Sequence, residues 1–333
     1  MKSKTHATYL GDVISETGTI DETILQRTLK ATGINCQITS MLSSIYLGSF
    51  HFDIGLVLRE AKFVNSIMVN SETWHNVQLK HIQSLEKCDV ELLRNILNAH
   101  SKTANEAFYL ELGIYPLRFT LAIRRFMYLW HILHRDSDEL ILKVYKAQSC
   151  KVNKGDWARI IQEEKEKFSV TESDDQIACM SQGKFKNMIK KKVKKHAIQY
   201  LHQLAQPHSK SDNLEKNKFK RQQYLTDRRF SKEDVQLLFT LRTKMLDCKS
   251  NFRTQFQHNM CCRICKVANT VEDEEHILTC KTLNSQVNHE AKFGDVYGNV
   301  NQQFKIVQVF KNILRRRKVY LDIAETAASN PST

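Results

Sequence analysis

Apolar residues recur every three or four positions along most of this chain, the period of an amphipathic helix. From Asp21 to Leu47 the pattern runs through Ile24, Leu25, Leu29, Ile38, Met41, Leu42 and Ile45, with Gly33 reading as a break between two helices. It resumes over Phe52 to Met68, Trp74 to Leu85 and Val90 to Leu97, where Asp89 reads as an N-cap. Pro116 stands where a helix would begin, and the apolar-and-basic stretch Leu117 to His134 comes directly after it. Leu140 to Ala147, Trp157 to Phe168, Phe185 to Leu204, Val235 to Leu246 and Gln302 to Ile323 continue the series. One stretch, Thr8 to Ser15, reads as strand, with Gly11 marking a turn or bulge. The expected fold class is therefore mainly α.

Composition narrows this further. Ten glycines and three prolines in 333 residues exclude collagen-like, low-complexity and most loop-rich β architectures. A hydrophobic fraction of 41% with 26% charged residues suits a chain that buries a core. Arg118, Arg124 and Arg125 interrupt the most apolar long window, Pro116 to Leu133, so no transmembrane helix is expected. The first 30 residues hold no apolar run of signal-peptide type. Nine cysteines in such a chain imply free thiols in a reducing compartment.

The net charge is +14, and its distribution is uneven. Residues 181–229 hold 14 Lys or Arg against 3 Asp or Glu, which is +11 of that total. A surplus so concentrated points to a polyanionic partner. Lys184, Lys186, Lys190, Lys191, Lys192, Lys194 and Lys195 interleave with Phe185, Met188, Ile189, Val193, Ala197 and Leu201, giving a helix with one core face and one cationic face. Lys218, Lys220, Arg221, Arg228 and Arg229 continue the basic character. Such a face can track a phosphate backbone, with Phe219 and Tyr224 as candidate base-stacking rings or core residues. A solvated lysine face or a nuclear-localisation run is the alternative.

The strongest chemical signal is Cys262, Cys265, His276 and Cys280, spaced Cys-x2-Cys-x10-His-x3-Cys. Two cysteines two residues apart form a tight knuckle, and a histidine and cysteine four apart share one helical face. Three sulfurs and one imidazole nitrogen make a closed tetrahedral site of the structural zinc kind, without an open catalytic position. Asp273, Glu274 and Glu275 suit the first turn of the ligand helix. Cys261 is a competing ligand in a shifted register, and separate buried thiols with a surface histidine are the metal-free alternative. Trp74, Trp130 and Trp157 read as core, Asp174–Asp175 as a solvated pair, and no Gly-rich phosphate loop is present. Residues 169–183 read as a polar linker.

The motifs in order resemble a known family. Tyr9-Leu10-Gly11-Asp12-Val13-Ile14-Ser15 is similar to the segment after the catalytic core of non-LTR retrotransposon reverse transcriptases, where Tyr-Leu-Gly belongs to the primer grip. Asp21 to Arg27, Leu58-Arg59-Glu60, Asn70 to Trp74 and Leu85 to Asp89 resemble the thumb and the region C-terminal to it. So do Tyr109 to Gly113 with Pro116, Arg124-Arg125 with Tyr128-Leu129, Asp156-Trp157, Leu241 to Met245, Asn251-Phe252 and the Cys-Cys-His-Cys knuckle.

The resemblance implies a hairpin remnant over 1–20 with Tyr9, Leu10 and Gly11 as primer-grip-like residues. A helical thumb and connection would occupy 21–168, and a basic helical region 184–255 would come after the linker. A zinc knuckle over 256–285 and a C-terminal helix and tail over 286–333 would complete the chain. It implies RNA or DNA as partner, as template–primer duplex or single strands, together with a separate polymerase core. It also implies a nuclear setting, with a cytoplasmic ribonucleoprotein stage. The family's aromatic-x-Asp-Asp block precedes Tyr-Leu-Gly, and only eight residues precede Tyr9. The expectation is thus a nucleic-acid-binding C-terminal fragment without catalytic aspartates, without a magnesium site and without polymerase activity of its own. Two alternatives stand beside it: a mis-started piece of a complete active enzyme, and a host-derived zinc-containing helical interaction protein.

Overall fold

The computed structural model describes residues 6–9, 12–15, 19–45, 47–75, 77–151, 153, 156–206, 214, 219–256, 259–284 and 290–329. The fold is mainly α. Strands β1 (His6–Tyr9) and β2 (Asp12–Ser15) pair antiparallel, with Tyr9 opposite Asp12. Helices come next as α1 (Asp21–Ser44), α2 (His51–Leu58), α3 (Asn65–Ile67), α4 (Leu79–Leu97), α5 (Asn105–Leu112), α6 (Leu117–Leu133) and α7 (Leu140–Cys150). Then come α8 (Trp157–Lys167), α9 (Asp174–Ala178), α10 (Gln182–Ala205), α11 (Lys232–Arg242), α12 (Glu274–Thr279), α13 (Lys281–Asn284) and α14 (Val300–Ser329).

The chain forms two compact units. The first comprises Met1–Tyr46, Ile54–Leu93 and Gly113–Leu204, the second Leu47–Asp53, Arg94–Leu112 and Ala205–Thr333. Each unit gathers three separated stretches of the chain.

In the first unit, α1 runs unbroken through Gly33, where an added Cβ would meet nothing within 4 Å. Gly33 is therefore an ordinary helical position rather than a break. Asp89 is not an N-cap either, since α4 passes straight through it. It is fully buried and receives Arg59 Nε and Nη2, both at 2.7 Å. Arg59 opens a wide π-helical stretch, Arg59–Val64, between α2 and α3. A buried carboxylate needs such a bidentate partner. Arg27 ties α1 to β2 through Asp12 at 2.8 Å.

The core of this unit joins Phe119, Phe126 and Leu129 of α6 to Phe168, Ile177 and the inner face of α10, Phe185, Ile189, Val193 and Ala197. Residues 169–183 are not a linker, because Val170 and Ile177 lie in that core and α9 is closed by a Ser173–Gln176 capping box. The polar residues of this stretch cap and pair instead of simply facing solvent. Asp174 illustrates this, accepting the Tyr145 hydroxyl and Lys165 Nζ, each at 2.7 Å.

In the second unit, Phe108 stacks on Phe239 at 5.5 Å, and Val307 and Phe310 of α14 are fully buried. At its centre Arg242 donates Nε and Nη2 to Glu111 at 2.9 and 2.8 Å, while the Tyr224 hydroxyl donates to Glu111 Oε2 at 2.7 Å. Tyr224 is wholly buried and Phe219 nearly so, so both are core residues and neither offers a ring to a base. Breaking a buried pair such as Glu111–Arg242 costs about 3–5 kcal/mol.

Candidate metal centre and basic helix

The Cys262 and Cys265 segment forms a small β-ribbon turn. Cys261 bridges to Val271, and Cys262 N donates to Thr270 O at 3.1 Å. The turn closes with Lys266 and Asn269 at φ 52° and 61°, a left-handed conformation that asparagine tolerates well. Ile264 N donates to Cys262 Sγ at 3.4 Å, so the turn's own amide already points at the sulfur. The other two residues come from α12. Asp273 caps it by accepting His276 N at 2.7 Å, and Glu274 and Glu275 occupy its first turn, as the spacing predicts. Cys280 comes directly after its last residue.

The ligand atoms of Cys262, Cys265, His276 and Cys280 all lie within 4.8 Å of one another. Cys265 Sγ and His276 Nε2 are 3.5 Å apart. Around a tetrahedral ion with ligand bonds of about 2.0–2.3 Å, neighbouring ligand atoms sit about 3.5–3.8 Å apart. The four side chains are thus pre-arranged to hold a metal ion. Cys261 is not among them, because its strand bridge leaves Cys262 as the buried thiol of the pair. Burial pushes the metal-free Cys262 thiol up to about 11, against the pull of the Cys265 and Ile264 amides. A buried thiolate is costly unless a cation neutralises it, which is the role a bound metal takes.

Sequence reasoning missed what braces this cluster. Glu272, with a fully buried side chain, receives Arg263 Nη2 at 2.6 Å and Arg317 Nη2 at 2.8 Å. Arg317 lies on α14 and also donates to Asp247 O at 2.6 Å. Burial acts to raise the Glu272 carboxyl, but the Arg263 and Arg317 contacts outweigh it and hold it below the usual carboxylate range. Asn251 Nδ2 donates to Glu274 Oε1 at 2.5 Å, fixing the start of α12 from another side. The only sequence signal for Glu272 is an acidic residue beside Asp273, and nothing marks Arg317 as its partner.

The lysine run falls on α10 as expected. Lys184, Lys186, Lys190, Lys191, Lys194 and Lys195 are exposed. Lys192 is not part of an open face, because its Nζ donates to Ser169 O at 2.6 Å and Glu172 Oε2 at 3.2 Å. The later cations belong to the second unit. Arg221 pairs with Asp53 at 2.7 Å, and Arg229 with Asp227 at 2.8 Å. The Arg228 guanidinium lies over the Phe50 ring at 5.0 Å, and Lys220 is exposed. Lys218 lies outside the described residues, as do Leu10 and Gly11, while Tyr9 ends β1. No helix among the described residues is long and apolar enough to cross a membrane.

No family model, curated protein or solved structure matches the chain.

Proposed function

We propose that this chain is a nucleic-acid-binding, zinc-stabilised protein of the kind found C-terminal to the catalytic core in non-LTR retrotransposon reverse transcriptases. The carrying observation is the exposed lysine face of α10. Six lysines occupy twelve consecutive positions there, in the rows Lys184–Lys191–Lys195 and Lys186–Lys190–Lys194. They span about 16 Å of helix axis, or about five base-pair rises of duplex. Like charges four residues apart destabilise a helix by a few tenths of a kcal/mol per pair. Lys186–Lys190, Lys190–Lys194 and Lys191–Lys195 have that spacing. A phosphate backbone relieves this repulsion and gains from counterion release.

Zinc is the ion that a Cys3His tetrahedron suits, and with four protein ligands its role is structural. Loaded, it would hold the Cys262–Cys265 turn against α12. The reading is one of binding and positioning in a nuclear setting, with duplex or single strands as ligand and the polymerase core as partner. The residues that carry the family resemblance support it in a particular way. Arg59, Asp89, Glu111, Arg125, Arg242 and Asn251 each make a buried or half-buried polar contact that fixes the helices.

The test is fluorescence anisotropy of a labelled RNA–DNA template–primer with the zinc-loaded chain at 50–300 mM salt. The reading predicts binding that weakens steeply with salt and varies little with sequence. A flat salt dependence or no binding overturns it.

A further inference from the structure

In the first unit, a cavity of about 420 Å³ opens between α6, α7 and the start of α8. Tyr128, Tyr145 and Trp157 form aromatic walls, and Ile132, Ile141 and Val144 fill between them. The Trp157 ring meets Tyr128 at 5.5 Å and 86°, and Tyr145 at 6.0 Å and 72°. These walls stand nearly perpendicular, the shape that boxes a rounded group rather than sandwiching a flat one. Their orientation is fixed, because Trp157 Nε1 donates to Glu72 O at 2.8 Å and the Tyr145 hydroxyl to Asp174 at 2.7 Å.

Among the described residues that line it, Asp156 supplies the one carboxylate, and Thr73, His75 and Gln148 are the other polar side chains. One Asp156 oxygen accepts Asn153 N at 3.0 Å. The Glu72 carboxylate lies near enough to add to burial in pushing the Tyr128 hydroxyl up. The start of α8 does not make this an anion site, because Gln148 Oε1 already takes Ala158 N at 3.4 Å.

We propose that this cavity binds the side chain of a trimethylated lysine on a partner polypeptide. Ring faces attract a cation held within about 6 Å, most strongly when it is desolvated. A bare ammonium is strongly hydrated and needs acceptors on several sides. Ile132, Ile141 and Val144 supply none and suit N-methyl groups, while Asp156 offers a carboxylate to the cation. A choline headgroup offers the same ammonium but brings a phosphate, which the Asp156 carboxylate opposes. At the rim, Leu140 and Val144 are 75% and 46% exposed on consecutive turns of α7, an apolar ledge for the residue beside the modified lysine.

The experiment uses the full chain and follows the Trp157 indole N–H by NMR, assigned by its loss in Trp157→Phe. The probe is a short peptide carrying trimethyllysine beside leucine, compared with its unmethylated form and with phosphocholine. The proposal expects a saturable shift with the methylated peptide, at least tenfold weaker binding without methylation, and still weaker binding of phosphocholine. Asp156→Asn, which keeps the aromatic walls, should weaken the methylated peptide at least fivefold. No saturable shift, equal affinity for the unmethylated peptide, tighter binding of phosphocholine, or an unchanged constant in Asp156→Asn would each overturn it.

Discussion

Glu272 shows how much one residue organises here. It lies in sequence between Cys265 and His276 of the cluster, yet its work is to join the knuckle to α14 through Arg263 and Arg317. Its folded pKa lies below the ordinary value of 4.5. A carboxylate depressed on folding contributes stability that is present above its unfolded value and is lost as pH falls through the folded one. Its contribution is therefore complete at neutral pH and decays below about pH 4.5. Arg317→Met removes one of the cations, so the Glu272 carboxyl should lie nearer its ordinary value and the stability lost on going below about pH 4.5 should be smaller than in the natural chain. Denaturant midpoints of both proteins between pH 3 and 7 check this. Coincident profiles would show that Arg317 does not hold Glu272 down.

Among the elements, the metal cluster was legible because both halves of it are local. A two-residue cysteine spacing sets a turn, and a four-residue His–Cys spacing sets a helical face, so neither needs tertiary information. The same holds for the lysine face of α10, whose inner residues repeat at helical period against the core. Failures came where a polar residue's partner lies far along the chain. Asp89 looks like a cap until Arg59, 30 residues away, is seen to claim both its oxygens. Residues 169–183 look like a linker until Val170 and Ile177 are found in the core. Holding the Cys262–Cys265 turn against α12 also has a measurable consequence. Chelation, or Cys265→Ser, should lower the thermal midpoint of the second unit by several degrees, about 1–3 kcal/mol of stability. Differential scanning calorimetry with and without added zinc measures this. A midpoint indifferent to metal would show that zinc does not stabilise the knuckle.

Over the whole molecule, several cations outside α10 serve the fold. Arg59, Arg125, Arg242, Arg263 and Arg317 serve carboxylates, and Arg221 and Arg229 have partners near the surface. The six exposed lysines of α10 form a regular array on one helix, the surface proposed for a polyanion.

Contact between the α10 face and phosphate is read from the slope of log binding constant against log salt. That slope should be compared between the natural chain and one with Lys186, Lys190, Lys191 and Lys194 changed to glutamine. With about 0.9 ions released per contact on duplex DNA, the substituted chain should show a slope shallower by roughly 2–4 and an affinity lower by at least tenfold at 100 mM salt. An unchanged slope in a folded, zinc-loaded variant would contradict phosphate contact by α10 and place it elsewhere.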